Sequence, residues 1–316
     1  MNGTASKKSR RSTRKSDDKQ TSCIRRYGAD GRVHLPQAGS AANADSLREA
    51  AVLAEQLGFA AAWVSDHVVV QKGSVYPPSA YIYEPIVSLT WAAAATSVIE
   101  LGTTVLVLPM RRPVIMAKML SSLDILSNGR LIVGGAGGYV VPEFATLGVP
   151  MDERGPRTDE AIDIMRAMWT EDPITGDYPV HGVTFDQMRA KPQPGRRIPI
   201  WIGGHSGPAL RRATRLGDGW HGILAAPRGA EFGDLVAQVS KVREERPESD
   251  YVLSVRVPWD GLEDDHDEML GWIDKLRELG ITHILAEPRQ RTKDDYLRSI
   301  EGLAEVFGRA GALQPL

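Results

Sequence analysis

Three short stretches carry residue types and spacings that could do chemistry. Trp63-Val-Ser-Asp66-His67 sets a carboxylate beside an imidazole, the side chain whose unperturbed titration falls near neutral pH. Gly134-Gly-Ala-Gly137-Gly138-Tyr139 offers bare backbone that a flat ring can approach closely. Pro199-Ile-Trp-Ile-Gly-Gly204-His205-Ser206-Gly207-Pro208 reads as a short strand, a glycine turn and a helix start. Ser206 or Gly207 can cap that helix, and Pro208 fits its first turn, where a missing N–H costs nothing. Such a turn gathers unpaired N–H groups and the positive end of a helix dipole at one point, a natural seat for a phosphate.

The elements around these stretches decide whether they meet. Arg32-Val-His-Leu35 reads as a first strand, followed by a helix capped by Asn43 with Leu47, Ala50, Ala51, Ala54 and Leu57 on one face and Gly58 as its stop. Strands are then expected at 59–64, 101–108, 130–134, 200–203, 219–224, 251–257 and 281–285. Helices are expected between them, at 84–96, 113–126, 157–169, from 207, at 229–245 and at 267–279, with a last amphipathic helix near 296–307. Residues 139–156 read as irregular. Residues 170–198 read as an excursion between the fourth helix and the fifth strand, with a small hairpin around Val183-Thr-Phe185. Strand and helix alternate eight times over about 280 residues, which suits an α/β fold closed as a (β/α)8 TIM barrel better than an open sheet. The strands are short, apolar and β-branched, as when both faces are covered. Gly134 to Gly138 lacks the G-x-G-x-x-G spacing, so a dinucleotide fold has little support.

Composition narrows the partners. The chain has 316 residues, 42% of them apolar and 25% charged, the balance of a globular protein. Residues 1–26 hold nine Lys or Arg against Asp17 and Asp18, a local +7 that leaves the remainder at −9. The expected layout is a disordered basic tail over 1–26 and a single barrel domain over 27–316. An acidic body argues against nucleic acid. No apolar run reaches the length of a membrane span, and neither twin-arginine pair precedes an apolar segment. The single cysteine, Cys23, fits a reducing, cytoplasmic setting.

In a barrel of this kind the active site lies at the C-terminal strand ends. Three chemistries can be weighed there. Metal-dependent hydrolysis needs converging His and carboxylate ligands; His67, His205 and His221 could contribute, but strand one has no His-x-His pair and only Glu287 follows strand eight. Schiff-base chemistry needs a lysine inside the barrel, and the lysines at 72, 118, 191, 241, 275 and 293 all fall off the strands. The third chemistry is a phosphate-bearing cofactor whose ring lies over the strand ends, with the 204–207 turn on its phosphate and His67 as proton donor or acceptor.

The residues resemble the luciferase-like flavin/deazaflavin oxidoreductase family over roughly 31–225. The likeness rests on Leu35-Pro-Gln37, Ala54-Glu-x-Leu-Gly-Phe59, Trp63-Val-Ser-Asp-His67, Leu101-Gly-Thr-Thr-Val105, Leu123-Asp-x-Leu-Ser-x-Gly-Arg130, Glu143-Phe-x-x-Leu-Gly148, Arg154 with Arg157, and Ile202-Gly-Gly204 through Gly217-Asp-Gly-Trp220. It is strongest toward the branch that uses coenzyme F420, a deazaflavin, with FMN as the alternative cofactor. The resemblance implies a proton-transfer role for His67. It implies cofactor contacts from Asp66, Thr104, Val105, Gly137, Gly138, Tyr139, Gly204, His205, Ser206 and Gly207, with a non-prolyl cis peptide at Thr104-Val105. It also implies a homodimer and, for an FMN monooxygenase, a separate reductase supplying reduced cofactor. A basic rim of Arg111, Arg112, Arg154, Arg157, Arg196 and Arg197 is expected to face the anionic tail of F420. Sugar-phosphate dehydrogenases of this family carry an acid where Tyr139 stands and a tryptophan where Gln71 stands. The expected substrate is therefore a small apolar or aromatic molecule lined by Tyr76, Tyr81, Tyr83, Tyr139 and Trp220. A non-catalytic flavin-binding relative is the reading of another class.

Overall fold

Alternating strands and helices begin at residue 30 and close on themselves. The computed structural model describes residues 30–74, 77, 79–225, 230–289 and 291–315; the basic tail expected over 1–26 and the candidate Tyr76 lie outside them. The strands are β1 (Asp30–His34), β2 (Ala61–Val64), β3 (Glu100–Thr103) with its continuation β4 (Leu106–Val107), and β5 (Leu131–Ala136). After a two-stranded hairpin, β6 (Ile174–Tyr178) and β7 (Val183–Met188), come β8 (Ile200–Gly203), β9 (Gly219–Ile223), β10 (Val252–Val257) and β11 (His283–Ala286). All pairs outside the hairpin are parallel, and β3 meets β5 while β1 meets β11, so the sheet is a closed barrel with β3 and β4 as one interrupted stave. The helices α1 (Ala44–Gln56), α2 (Pro85–Ala95), α3 (Pro113–Leu126), α4 (Val141–Thr146), α5 (Arg154–Thr170), α6 (Gly207–Leu216), α7 (Ala230–Glu245), α8 (His266–Glu278) and α9 (Lys293–Arg309) complete it. This is the expected TIM barrel, with the hairpin as its excursion.

Local signals explain most boundaries. Asn43 caps α1 by accepting from Ser46 N, and Leu47, Ala50, Ala51 and Ala54 face inward. Glu84 caps α2 in the same way through Val87 N. Two expectations need correction. The third stave does not run unbroken from 101 to 108: it breaks at the cis Thr104–Val105 peptide, and Leu108–Met110 form a 3-10 turn. The stretch 139–156 is not irregular throughout, because α4 occupies part of it and α5 starts at Arg154 rather than after Pro156. Pro142 and Pro156 sit within the first turns, where their missing N–H has no intrahelical partner to lose.

The barrel interior is more polar than the apolar strands suggest. Trp63 stacks on His221, with ring centroids 5.3 Å apart and planes 13° from parallel. Trp201 lies 5.4 Å from Trp63, and the Arg32 guanidinium sits 5.2 Å from the Trp201 ring. Gly102 makes room for this layer, since a Cβ there would fall 2.3 Å from the Trp63 ring. The larger apolar core lies outside the barrel, between strand residues such as Val33, Val133 and Val255 and the helices.

Candidate active site

β2 delivers Ser65, Asp66 and His67 to the C-terminal end of the barrel, and all three are buried. His67 Nδ1 lies 3.1 Å from Glu143 Oε2, in the first turn of α4. The other carboxylate oxygen accepts the amides of Val68 at 2.6 Å and Val69 at 3.3 Å. Burial pushes the Glu143 carboxyl up, but the His67 ring and these two amides outweigh it and hold the group below the ordinary range. An ionised acceptor at Nδ1 selects the tautomer with its proton there, so Nε2 is the ring atom at which a proton can be taken up or given. Sequence reasoning gave Glu143 no partner; its pairing with His67 crosses 76 positions of chain.

Asp66 does a different job from the cofactor contact expected of it. Its carboxylate accepts Arg111 Nη2 at 2.6 Å, Arg111 Nε at 3.0 Å and Val107 N at 2.9 Å. It pins the segment after the cis peptide to β2, so it is a positioning residue. Arg111 is committed to that bond and to Glu84 Oε1 at 2.8 Å. Arg196 and Arg197 precede β8, at the opposite end of the barrel, where they pair with Asp124 and Asp218, each at 2.7 Å. Of the six arginines expected at the rim, Arg111, Arg196 and Arg197 are thereby committed to acidic partners.

The facing wall is built from the ends of β5 and β8. A Cβ on Gly137 would stand 3.4 Å from Thr158 Oγ1 and 4.0 Å from Arg154, which brings the start of α5 to this backbone. Gly138 adopts φ +72°, and a Cβ there would strike Val107 at 2.4 Å. Its glycine is thus required by the chain's own packing, whatever binds above it. Gly204 adopts φ +113°, turning the chain into α6, where Ser206 is the N-cap and accepts from Ala209 N at 3.4 Å. Arg212, midway along α6, reaches Gly155 O at 3.2 Å and so ties α6 to the first turn of α5. His205, Ser206 and Gly207 in this turn are exposed or half-exposed residues. These features fit an anionic cofactor group held by backbone N–H groups.

Trp220 is not a substrate wall. It is fully buried in the outer core, and its indole N–H donates to Gly204 O at 2.8 Å, bracing the turn from beneath. Tyr81 and Tyr139 are 56% and 67% exposed on loops that follow β2 and β5. Tyr81 and Tyr83 join their hydroxyls at 3.0 Å. Thr104 is buried, with Oγ1 2.8 Å from His221 Nε2, while Val105 is half-buried beside Gly203.

Between the two walls lies a polar floor that sequence reasoning missed. Arg256 Nη1 donates to Ser65 Oγ and Thr104 O, each at 3.2 Å, and Nε donates to Glu287 at 2.7 Å. His34 Nε2 meets the same Ser65 hydroxyl at 2.8 Å. Gln37 holds the Ser65 and Tyr83 carbonyls, each at 2.9 Å. Burial pushes Glu287 up, yet the neighbouring Arg256 charge brings it below the ordinary carboxylate range. The one available signal was an arginine inside the apolar run Tyr251–Val257, because a charge on a buried strand needs a partner.

The comparisons with known proteins agree with this architecture. The luciferase-like monooxygenase family model matches residues 28–303, and the chain belongs to that family. An uncharacterised Mycobacterium tuberculosis protein is 38% identical over 155 residues, which is 48% of this chain and 51% of that protein, so the match spans about half of the relative. An F420-dependent glucose-6-phosphate dehydrogenase of Amycolatopsis mediterranei is 29% identical over 71% of this chain and 67% of its own. Among solved structures, the monooxygenase RslO1 from Streptomyces bottropensis superposes with a TM-score of 0.74 at 19% identity, covering 90% of this chain and all (100%) of that one.

Proposed function

We propose that this chain is an oxidoreductase that moves a hydride between coenzyme F420 and a small organic molecule. The observation that carries the reading is His67, oriented by the ionised Glu143, on the same barrel rim as the Ser206-capped turn. Likeness to the F420-dependent relative supports the choice of cofactor. A bound deazaflavin would supply hydride exchange, and a reduced flavin would add oxygen chemistry. The chain's own share is separate from either. The turn at 204–207 would hold the phosphate, and Gly137, Gly138, Tyr139, Thr104 and Val105 would border the ring. His67 would pass a proton at Nε2, with Glu143 stabilising the charged ring. The substrate would meet Tyr81 and Tyr139 at the rim and the Arg256–Glu287 floor below, which favours a molecule joining an apolar body to a hydrogen-bonding group.

The family model's monooxygenase description favours a second reading, a monooxygenase using reduced FMN delivered by a separate reductase. Titrating the purified protein with F420 and with FMN, followed by cofactor fluorescence, separates the two. Tight F420 binding supports the first reading, tight FMN binding without F420 overturns it, and binding of neither supports a non-catalytic relative. A homodimer is part of the proposal: α2 and α3 expose Val87 at 61%, Trp91 at 49% and Ile115 at 59%, an apolar surface that a second copy would cover. Sedimentation of the wild type against Trp91→Glu tests it. Among the described residues no helix is long and apolar enough to cross a membrane.

A further inference from the structure

A cavity of about 440 Å³ lies outside the barrel, between the start of α3, the loop after α4, one face of α5 and the turn of the β6–β7 hairpin. Arg112, Arg157 and His181 stand in its lining among apolar walls from Val114, Leu147 and Val149. Arg112 is exposed and has no acidic partner among the described residues. Among the described residues, Arg157 is paired only with Glu153, a half-exposed neighbour one turn away at 2.8 Å. α3 starts at Pro113 without a capping side chain, so its first amides, on the cavity residues Val114 and Ile115, lack a cap.

His181 is the independent clue. Its side chain is only 5% exposed, and Nδ1 lies 2.7 Å from Glu160 Oε2. Glu160 also accepts the amides of Val180 at 2.9 Å and His181 at 2.7 Å, fixing the hairpin turn and the ring together. The other ring nitrogen, Nε2, is buried without a hydrogen-bond partner among the described residues. A buried polar atom left unpaired is costly and uncommon in a folded chain. A ring that gives its Nδ1 proton to Glu160 can, when protonated, give its Nε2 proton to an anion.

We infer that this cavity is a second binding site, separate from the barrel mouth, for a carboxylate or phosphate group attached to an apolar body. Arg112 and Arg157 provide the charge, the start of α3 adds uncapped N–H groups, and His181 supplies the hydrogen bond buried beneath them. The anion can come from the acidic tail of a bound cofactor or from an independent small molecule, and Arg111 links the cavity wall to Asp66 beside His67.

The test uses the full-length protein, inorganic phosphate and a triglutamate peptide as probes, and calorimetry with histidine side-chain 15N NMR as readouts. Saturable binding that moves the His181 Nε2 resonance is expected. Arg112→Ser and His181→Phe should each weaken it by about tenfold, the scale of one lost charge-assisted hydrogen bond. Arg112 is on the surface, so its variant keeps the test valid if His181→Phe disturbs the hairpin. Displacement of phosphate by F420, but not by F420 lacking glutamates, identifies the cofactor tail as the source; phosphate binding indifferent to F420 identifies an independent ligand. No saturable binding of either probe, or binding unchanged in Arg112→Ser, overturns the inference. The phosphate arm stands even if the protein binds no F420, so it is read separately from the proposed function.

Discussion

Acidification should destabilise this barrel from the inside, through its buried histidines. His34 is pushed down to about 4, chiefly by burial, with Glu287 pulling it up and Arg256 pushing it down. His221 is pushed down to about 3 by burial and by the Arg256 and Arg32 charges. Both are neutral in the folded barrel, where His221 is bonded to Thr104 Oγ1 at 2.8 Å and Ser254 Oγ at 2.9 Å. In the unfolded chain each titrates near 6.5. The unfolded state therefore binds more protons below about pH 6.5, and stability falls as pH drops from there toward the folded values. At pH 5 each ring contributes a loss of about 2 kcal/mol, about 4 kcal/mol together, a large share of a typical folding free energy of about 5–15 kcal/mol. Urea unfolding at pH 7 and pH 5 measures this. His221→Gln keeps a polar side chain but removes the titration, so its loss between the two pH values should be about 2 kcal/mol smaller than wild type. A variant with the wild-type pH dependence, or a wild type that is equally stable at both, would refute the reasoning.

Other outcomes follow from the site. His67→Ala should lower turnover by about 10²–10⁴, the usual scale of acid–base assistance; an unchanged rate removes His67 from the mechanism. Glu143→Gln should shift the pH–rate profile while leaving cofactor affinity nearly constant, because it acts through the His67 tautomer; a change confined to affinity would make its role structural. Asp66→Asn removes the buried carboxylate from Arg111, which keeps only its pair with Glu84, and should cost about 1–3 kcal/mol, read as a lower urea midpoint. Trp220→Phe removes the hydrogen bond to Gly204 O and should weaken cofactor binding with little effect on turnover of the loaded enzyme, measured by fluorescence titration and kcat.

Local order was legible in the residues themselves. Asn43 and Ser206 cap the helices they were expected to cap, and Pro113 opens the helix that Asn128-Gly129 ends. These signals act over a few positions, so a single sequence contains them. The alternation of apolar strands and amphipathic helices likewise determined the barrel, because each element can bury its apolar face only against the others.

What the sequence alone could not decide was which polar groups find one another. The partnership of His67 with Glu143, of Asp66 with Arg111 and of Arg256 with Glu287 links residues far apart in the chain, and only closure of the barrel brings them within hydrogen-bond reach. Burial then altered the meaning of individual residues. An indole expected at the substrate became the brace of the phosphate turn, and two arginines expected at the rim proved to stand at the other end of the strands. Residue type dictated which groups would need partners. Tertiary structure chose the partners, because desolvation makes an unpaired charge or N–H costly only once the fold has taken it out of water.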